Sequence, residues 1–372
     1  MAMKHILWLD AFHGGSHQSV SQGYAKHSRH VVTLLTLSTA GGWRWRMRGA
    51  AVTFARQLQE YKQAHFDLIV ATDMLDLASF LGLTRDLTAN IPIALYMHEN
   101  QLTYPLPANR QRDLSFPWIN YTAALAANAI FFNSNFHRQA WLQALPGLVG
   151  RFHDHHELEL IDQIAARSHV LYPGIDLRRF DLPAAMQLAG TSASSAPILL
   201  WNSRWDYDKG PQAFFAALHE LERRQIDFRL IVAGEHVDPN DAVFAAARSA
   251  FADKILSWGY APSFAEYRDL LYQADIVVSA AQQEFFGIAV LEAMYCGCVP
   301  VLPQRLSYPE LLPEALYRHC LYAQDSDLAD HLEHTIRNVN TLAQLDTRAI
   351  AERFDWQHMA AAYDAALGML MP

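Results

Sequence analysis

A chain of 372 residues is too long for one ordinary hydrophobic core and suits two domains of about 150 to 200 residues each. With 51% apolar and 18% charged residues it can bury large cores, which excludes a disordered chain, and no apolar run reaches the roughly 18 residues a membrane span needs. The net charge of −9 divides unevenly, +2 over residues 1–185 and −11 over 186–372, so an anionic partner would favour the first half, although +2 falls far short of a dedicated nucleic-acid binder.

The N-terminus, Met1-Ala2-Met3-Lys4, leads straight into an apolar strand without the hydrophobic region of a secretory signal, which predicts a cytoplasmic protein. Short runs rich in Val, Ile and Phe alternate with longer helical patterns, the signature of parallel βα units. Strands are expected at 4–10, 31–37, 66–72, 91–97, 129–133 and 169–172. The small polar run 186–197 reads as a linker. Alternation then restarts, with strands at 198–202, 228–233, 255–258, 276–279 and 299–302. Ser263 and Glu266 have capping-box spacing and mark a helix start. The fold class is therefore α/β, with two doubly wound domains, 1–185 and 198–355, facing a central cleft, and a last helix within 356–372 expected to pack back on the first domain. Ligands of such sheets bind beyond the carboxyl ends of the strands. The cysteines, Cys296, Cys298 and Cys320, are an odd number in apolar surroundings and read as reduced thiols; a lone Cys-Gly-Cys supplies too few ligands for a metal site.

Three constellations lie just past strands. Gly14-Gly15, ahead of Ser16-His17, opens a helix whose backbone N–H groups can approach an anion, although a Gly-Gly pair also serves as a plain turn. Arg204 and Lys209 flank a strand-to-helix loop and can clamp a diphosphate without metal, or stand as solvated cations. Glu284-Phe285-Phe286-Gly287-Ile288, with Glu292 further on, sets a carboxylate on each side of a helix start, where Phe285 and Phe286 leave little structural reason for a charge.

The Arg-x4-Lys pair followed by Glu-x7-Glu resembles the large retaining glycosyltransferase class with the GT-B fold, two Rossmann-like domains. That resemblance implies a nucleotide-sugar donor whose diphosphate meets Arg204, Lys209 and the amides near Gly14, Gly15, Phe286, Gly287 and Ile288. It assigns Glu284 to the sugar hydroxyls, Glu292 to the ribose hydroxyls and a catalytic place beside the sugar to His98, alongside Arg204, Lys209 and Glu284. A closer resemblance rests on Ala11-Phe12-His13-Gly14-Gly15-Ser16-His17, Trp43-Arg44-Trp45-Arg46, His98-Glu99-Asn100-Gln101 with Tyr104-Pro105, Phe132-Asn133-Ser134, Trp258-Gly259-Tyr260 and Tyr295-Cys296-Gly297-Cys298. These stretches are similar to the tRNA-queuosine mannosyltransferase family, nearly end to end. The family implies GDP-mannose as donor, no metal, and an acceptor hydroxyl on the cyclopentene ring of queuosine in tRNA, without a membrane or an obligate protein partner. Acceptor contacts are then expected from Ser16, His17, Trp43, Arg44, Trp45, Arg46, Asn100, Gln101 and Tyr104.

Alternatives stay open at this stage. Trp43 to Arg48 can stack on unpaired bases and contact phosphates, or anchor a helix by core tryptophans with solvated arginines. His153-Asp154-His155-His156 falls in a stretch, 151–167, without a family match and reads as a polar loop rather than a metal site. A lipid-linked or polysaccharide acceptor would keep the enzyme class, and an inactive nucleotide-sugar or RNA-binding module would abandon it.

Overall fold

A computed structural model of the chain describes residues 3–106, 110–151, 153–182, 196–235 and 241–371. The chain divides into two compact units, Met1–Asp176 with Phe354–Pro372, and Leu177–Arg353. Residues 186–195 of the expected linker lie outside the described residues. The division between units falls at Asp176 and Leu177, ahead of position 185. The reason is packing: in the turn Leu177–Phe180, Leu177 and Phe180 are buried, and the Phe180 ring lies edge-on to Phe264 and Tyr267 of the second unit.

The first unit is built on six parallel strands: β1 (His5–His13), β2 (Val31–Ser38), β3 (Leu68–Thr72), β4 (Ile93–Met97), β5 (Ala129–Phe132) and β6 (Ser168–Val170), in the order β2-β1-β3-β4-β5-β6. Strand alternation sends Leu7, Leu9 and Ala11 to one face of the sheet and Ile6 and Trp8 to the other. The first face is covered by Met47, Ala50, Ala51, Phe54 and Leu58 of helix α2 (Trp43–Leu58). The second is covered by Val20 and Tyr24 of helix α1 (Gly15–His27) and by the last helix, Trp356–Gly368.

That last helix is anchored through glycines. A Cβ on Gly23 would come within 1.9 Å of the Trp356 indole, and one on Gly174 within 2.3 Å, so the two absences make the slot for a ring that is 1% exposed. Asp364 completes the attachment by accepting from Tyr24 Oη at 3.0 Å, Ser28 Oγ at 2.6 Å and the Arg29 amide at 3.1 Å.

The second unit repeats the architecture with β7 (Ile198–Asn202), β8 (Arg229–Ala233), β9 (Ile255–Gly259), β10 (Ile276–Val278), β11 (Val299–Pro303) and β12 (Leu321–Tyr322), ordered β12-β11-β10-β7-β8-β9 and parallel throughout. The sequence pattern misses β12, because a two-residue strand carries no periodicity. Strand order reverses between β1 and β3 in the first sheet and between β7 and β10 in the second. Beyond the carboxyl ends of those pairs the connecting helices leave in opposite directions and open a crevice, the usual ligand position in such sheets.

Candidate functional site

At the reversal in the second unit, the segments after β7 and β10 are stitched together. Trp205 is buried flat against Phe244, ring centroids 4.3 Å apart, which pins the loop that carries Arg204. The Asp208 carbonyl accepts from the amides of Gln282 at 2.8 Å and Gln283 at 3.1 Å. Gly210, at φ +69, turns the chain into the helix Pro211–Arg223; a Cβ there would sit 2.1 Å from the Ala280 carbonyl oxygen, so only glycine permits this approach.

The closure brings Lys209 to Glu284. The ammonium donates to the Gln283 carbonyl at 2.8 Å and stands 3.3 Å from Glu284 Oε2 and 3.6 Å from Asp208 Oδ2. Glu284 Oε1 accepts from the Phe286 amide at 3.3 Å. Phe285 and Phe286 are buried and Gly287, at φ +111, turns into the helix Ile288–Tyr295. Arg204 stays half exposed, its guanidinium 3.9 Å from Asp206. An ammonium, a nearby guanidinium and a short run of amides at a helix start are groups that stabilise a diphosphate.

Glu292 is 6% exposed and has both oxygens engaged: Oε1 accepts from Arg179 at 2.6 Å and Oε2 from Tyr267 Oη at 2.7 Å. Tyr267 in turn accepts from Asn202 Nδ2 at 2.9 Å, and the same amide donates to the Ala289 carbonyl at 2.9 Å. Burial raises the Glu292 pKa, and Arg179 works against that shift. Arg179 and Tyr267 escape sequence reasoning because neither lies beside its partner in the chain.

In the first unit, Asp10 lies in the second half of β1, and Asp73 and His98 directly follow β3 and β4. Asp10 is fully buried; Oδ2 pairs with His13 Nδ1 at 2.7 Å and accepts from Ser21 Oγ at 3.1 Å, while Oδ1 lies 3.8 Å from His17 Nδ1. The imidazoles of His17 and His98 stack with centroids 3.9 Å apart. Burial drives the His17 pKa down to about 4, partly opposed by Asp10, and drives His98 well below the ordinary histidine value. Both rings are therefore neutral at pH 7. His17 Nδ1 and His98 Nε2 are buried and have no hydrogen-bond partner among the described residues.

A set of amides and carboxyls holds the His98 segment. The His98 amide donates to Asp73 Oδ1 at 2.8 Å, and Asn133 Nδ2 donates to the His98 carbonyl at 2.7 Å. Asn120 bridges onward, donating to the Asp73 carbonyl at 2.9 Å and accepting from the Gln101 amide at 3.1 Å. Burial and then the Glu99 charge raise the Asp73 carboxyl well above its usual range. A carboxylate directly after an apolar strand was the available signal for Asp73.

The other first-unit candidates separate into two groups. Gly14, Gly15 and Ser16 lie at the start of α1, with Gly14 held close to Thr39. Gln101 is buried and its side chain donates to Glu99 at 2.8 Å. By contrast, Asn100 spends its carbonyl oxygen on the amides of Leu102 at 3.0 Å and Thr103 at 2.8 Å, and the Tyr104 carbonyl is capped by Arg112 at 2.7 Å. Trp43 packs edge-on to Phe116 at 4.9 Å beneath Arg44, and Arg46 turns in to the Ser38 carbonyl at 2.9 Å, whereas Trp45 is 65% exposed. Among the described residues no group of three or more His, Cys, Asp or Glu is arranged to hold a metal, and no helix is long and apolar enough to cross a membrane. The His155 side chain is open to solvent beside Asp154 and Glu157, and all three cysteines are buried and free.

Residues 5–175 match the family model for the N-terminal part of tRNA-queuosine alpha-mannosyltransferase, and residues 189–352 match that of glycosyl transferases group 1. The tRNA-queuosine alpha-mannosyltransferase of Drosophila melanogaster is 32% identical over 85% of this chain and 84% of its own length. A GDP-mannose:cellobiosyl-diphosphopolyprenol alpha-mannosyltransferase of Xanthomonas oryzae is 27% identical over 61% of each chain. In fold, the chain is similar to an Anabaena protein solved with UDP and glucose, at TM-score 0.69 and 17% identity over 99% of this chain and 100% of that one. The two Rossmann-like units thus make up a GT-B fold, and the chain belongs to the tRNA-queuosine alpha-mannosyltransferase family of glycosyltransferases.

Proposed function

We propose that this protein transfers mannose from GDP-mannose to a cyclopentene hydroxyl of queuosine in tRNA, with retention of the anomeric configuration and in the cytoplasm. The observation that carries the reading is the Lys209–Glu284 pair at the strand-order reversal of the second unit, in a chain of this family. Departure of the donor diphosphate builds charge that Lys209, Arg204 and the amides at Phe286, Gly287 and Ile288 receive. Each well-aimed donor of this kind contributes about 3 to 4 kcal/mol to the barrier. These cations take the place a metal ion would have, so turnover is expected to proceed without one.

Glu284, its second oxygen steadied by Lys209, accepts from sugar hydroxyls, and Glu292 accepts from the ribose. Neutral His98 meets the transferred sugar, His17 and Gln101 serve the acceptor, and the amides of Gly14 and Gly15 add anion donors. Attack then follows on the face the diphosphate leaves, with a phosphate oxygen taking the acceptor proton, so no enzyme carboxylate becomes a nucleophile.

The test is transfer of labelled sugar from a panel of nucleotide sugars to queuosine-containing and queuosine-lacking tRNA, in the presence and absence of EDTA. Queuosine-dependent, EDTA-insensitive mannose incorporation is expected. Donor hydrolysis without labelling of either tRNA would leave the donor reading standing and overturn the acceptor.

A further inference from the structure

From Ala11 to Gln59 the sequence contains no Asp or Glu, yet it carries Lys26, Arg29, Arg44, Arg46, Arg48 and Arg56. That stretch folds as the end of β1 followed by α1, β2 and α2, so these elements bring no carboxylates of their own beyond Asp10. Within it, α2 presents two different faces. Met47, Ala50, Ala51, Phe54 and Leu58 are buried against the sheet. Arg44, Trp45, Arg48, Val52 and Arg56 are exposed, and their spacing of three, four and seven places them along one side of the helix. Trp45 and Val52 are each 65% exposed, large apolar surfaces among cations.

Among the described residues only one cation of this stripe has a carboxylate partner: Arg48 reaches Asp113 at 3.0 Å, with its guanidinium over the Phe116 ring. The helix begins at the carboxyl edge of the sheet, where β2 ends, and its first turn carries Trp45. From Trp45 to Arg56 the stripe runs back from that edge for about 16 Å.

We propose that this outer face of α2 is an RNA-docking surface, on which Trp45 stacks with an unpaired base near the modified nucleotide and Arg44, Arg48 and Arg56 follow the phosphates of the adjoining stem. The proposal rests on the acceptor reading above and adds where the RNA beyond the reacting nucleotide is held. A single exposed indole flanked by guanidinium groups is the chemistry of a base-stacking platform with a backbone track. A membrane-lying helix would offer a continuous apolar face outward. In α2 that face is turned inward, and the outward side has only Trp45 and Val52.

The experiment measures binding of an anticodon stem-loop RNA to the full chain by fluorescence anisotropy across a salt series, for Trp45→Ala, Val52→Glu, Arg56→Gln and the off-stripe Arg151→Gln. Melting curves and GDP binding report on folding and on the second unit. Trp45→Ala should raise the Kd at least 5-fold, Val52→Glu should weaken binding, and Arg56→Gln should lower the slope of log K against log salt by about 0.7 to 0.9. Arg151→Gln should leave both unchanged. Equal losses for Arg151→Gln and Arg56→Gln would reduce the effect to net charge and overturn the proposal. So would unaltered RNA binding by the stripe variants, or their loss of binding to phosphatidylserine vesicles instead. If wild-type protein binds the stem-loop through this stripe yet transfers no mannose to queuosine, the acceptor reading fails and the RNA surface stands.

Discussion

Lys209 and Glu284, 75 positions apart in the chain, face each other at 3.3 Å because the segments after β7 and β10 share hydrogen bonds at the point where strand order reverses. The pairing fixes the ammonium and the carboxylate against each other at that reversal. Replacing Lys209 by Met is expected to lower kcat about 100- to 1000-fold with the fold intact, as loss of a well-aimed donor does. Steady-state kinetics of Lys209→Met, Glu284→Gln and the double variant check it. The double variant should lose less than the product of the single losses, because the two groups act as one unit.

Tyr267 gives Glu292 one of its two hydrogen bonds while being held by Asn202. Tyr267→Phe keeps the ring and removes only that donor, so the carboxylate is held by Arg179 alone. The KM for the nucleotide sugar should rise about 5-fold, the equivalent of one hydrogen bond worth about 1 kcal/mol, with kcat nearly unchanged. A change confined to kcat would show that Glu292 does not contact the donor nucleoside.

Asp73 accepts from the His98 amide, and its burial favours the uncharged acid. Asn at this position preserves a neutral side chain with an acceptor oxygen; Ala preserves neither. Asp73→Asn should therefore retain activity to within a few fold, whereas Asp73→Ala should lose kcat by about 10- to 100-fold through misplacement of His98. Equal activity in the two variants, measured at matched thermal stability, would remove Asp73 from the positioning of this site.

Three buried histidines tie stability to pH in one direction. His17 is held down to about 4, His137 to about 3, and His98 well below the ordinary value, all chiefly by burial. Below pH 6.5 the unfolded chain takes up protons that these folded rings refuse, so stability is complete above 6.5 and falls as pH drops toward 4. His17 alone accounts for a loss on the order of 3 kcal/mol over that interval. Melting temperatures taken between pH 7 and pH 4 should decline steeply, and His17→Gln should flatten the decline; an unchanged slope would mean that His17 protonates in the folded protein.

Trp356 fills the slot between Gly23 and Gly174. Trp356→Ala should cost about 3 to 5 kcal/mol of stability by leaving a cavity under α1, and Gly174→Ala should destabilise the same helix from the other side by overpacking. Chemical denaturation of each variant, followed by intrinsic fluorescence and circular dichroism, measures both losses.

Much of the architecture is legible in the sequence. Apolar runs of strand length separated by helical periods are a local property of buried parallel strands, so all of β1 to β11 can be read from the chain, and residues just past them can be singled out as site candidates. Glycines at strand-to-helix turns are equally local. Partnership is not. Nothing in the order of residues says that Asn100 is consumed by the amides of Leu102 and Thr103 while its neighbour Gln101 is anchored by Asn120, or that Trp43 packs on Phe116 and Trp45 points outward. Neither does it pair Glu292 with Arg179, 113 positions away, or lay the His17 ring on His98. The local chemistry of the chain sets which elements form and where their ends carry polar groups. Only the packing of distant elements decides which of those groups remain available to a ligand, because burial and hydrogen bonding are satisfied by neighbours in space rather than in sequence.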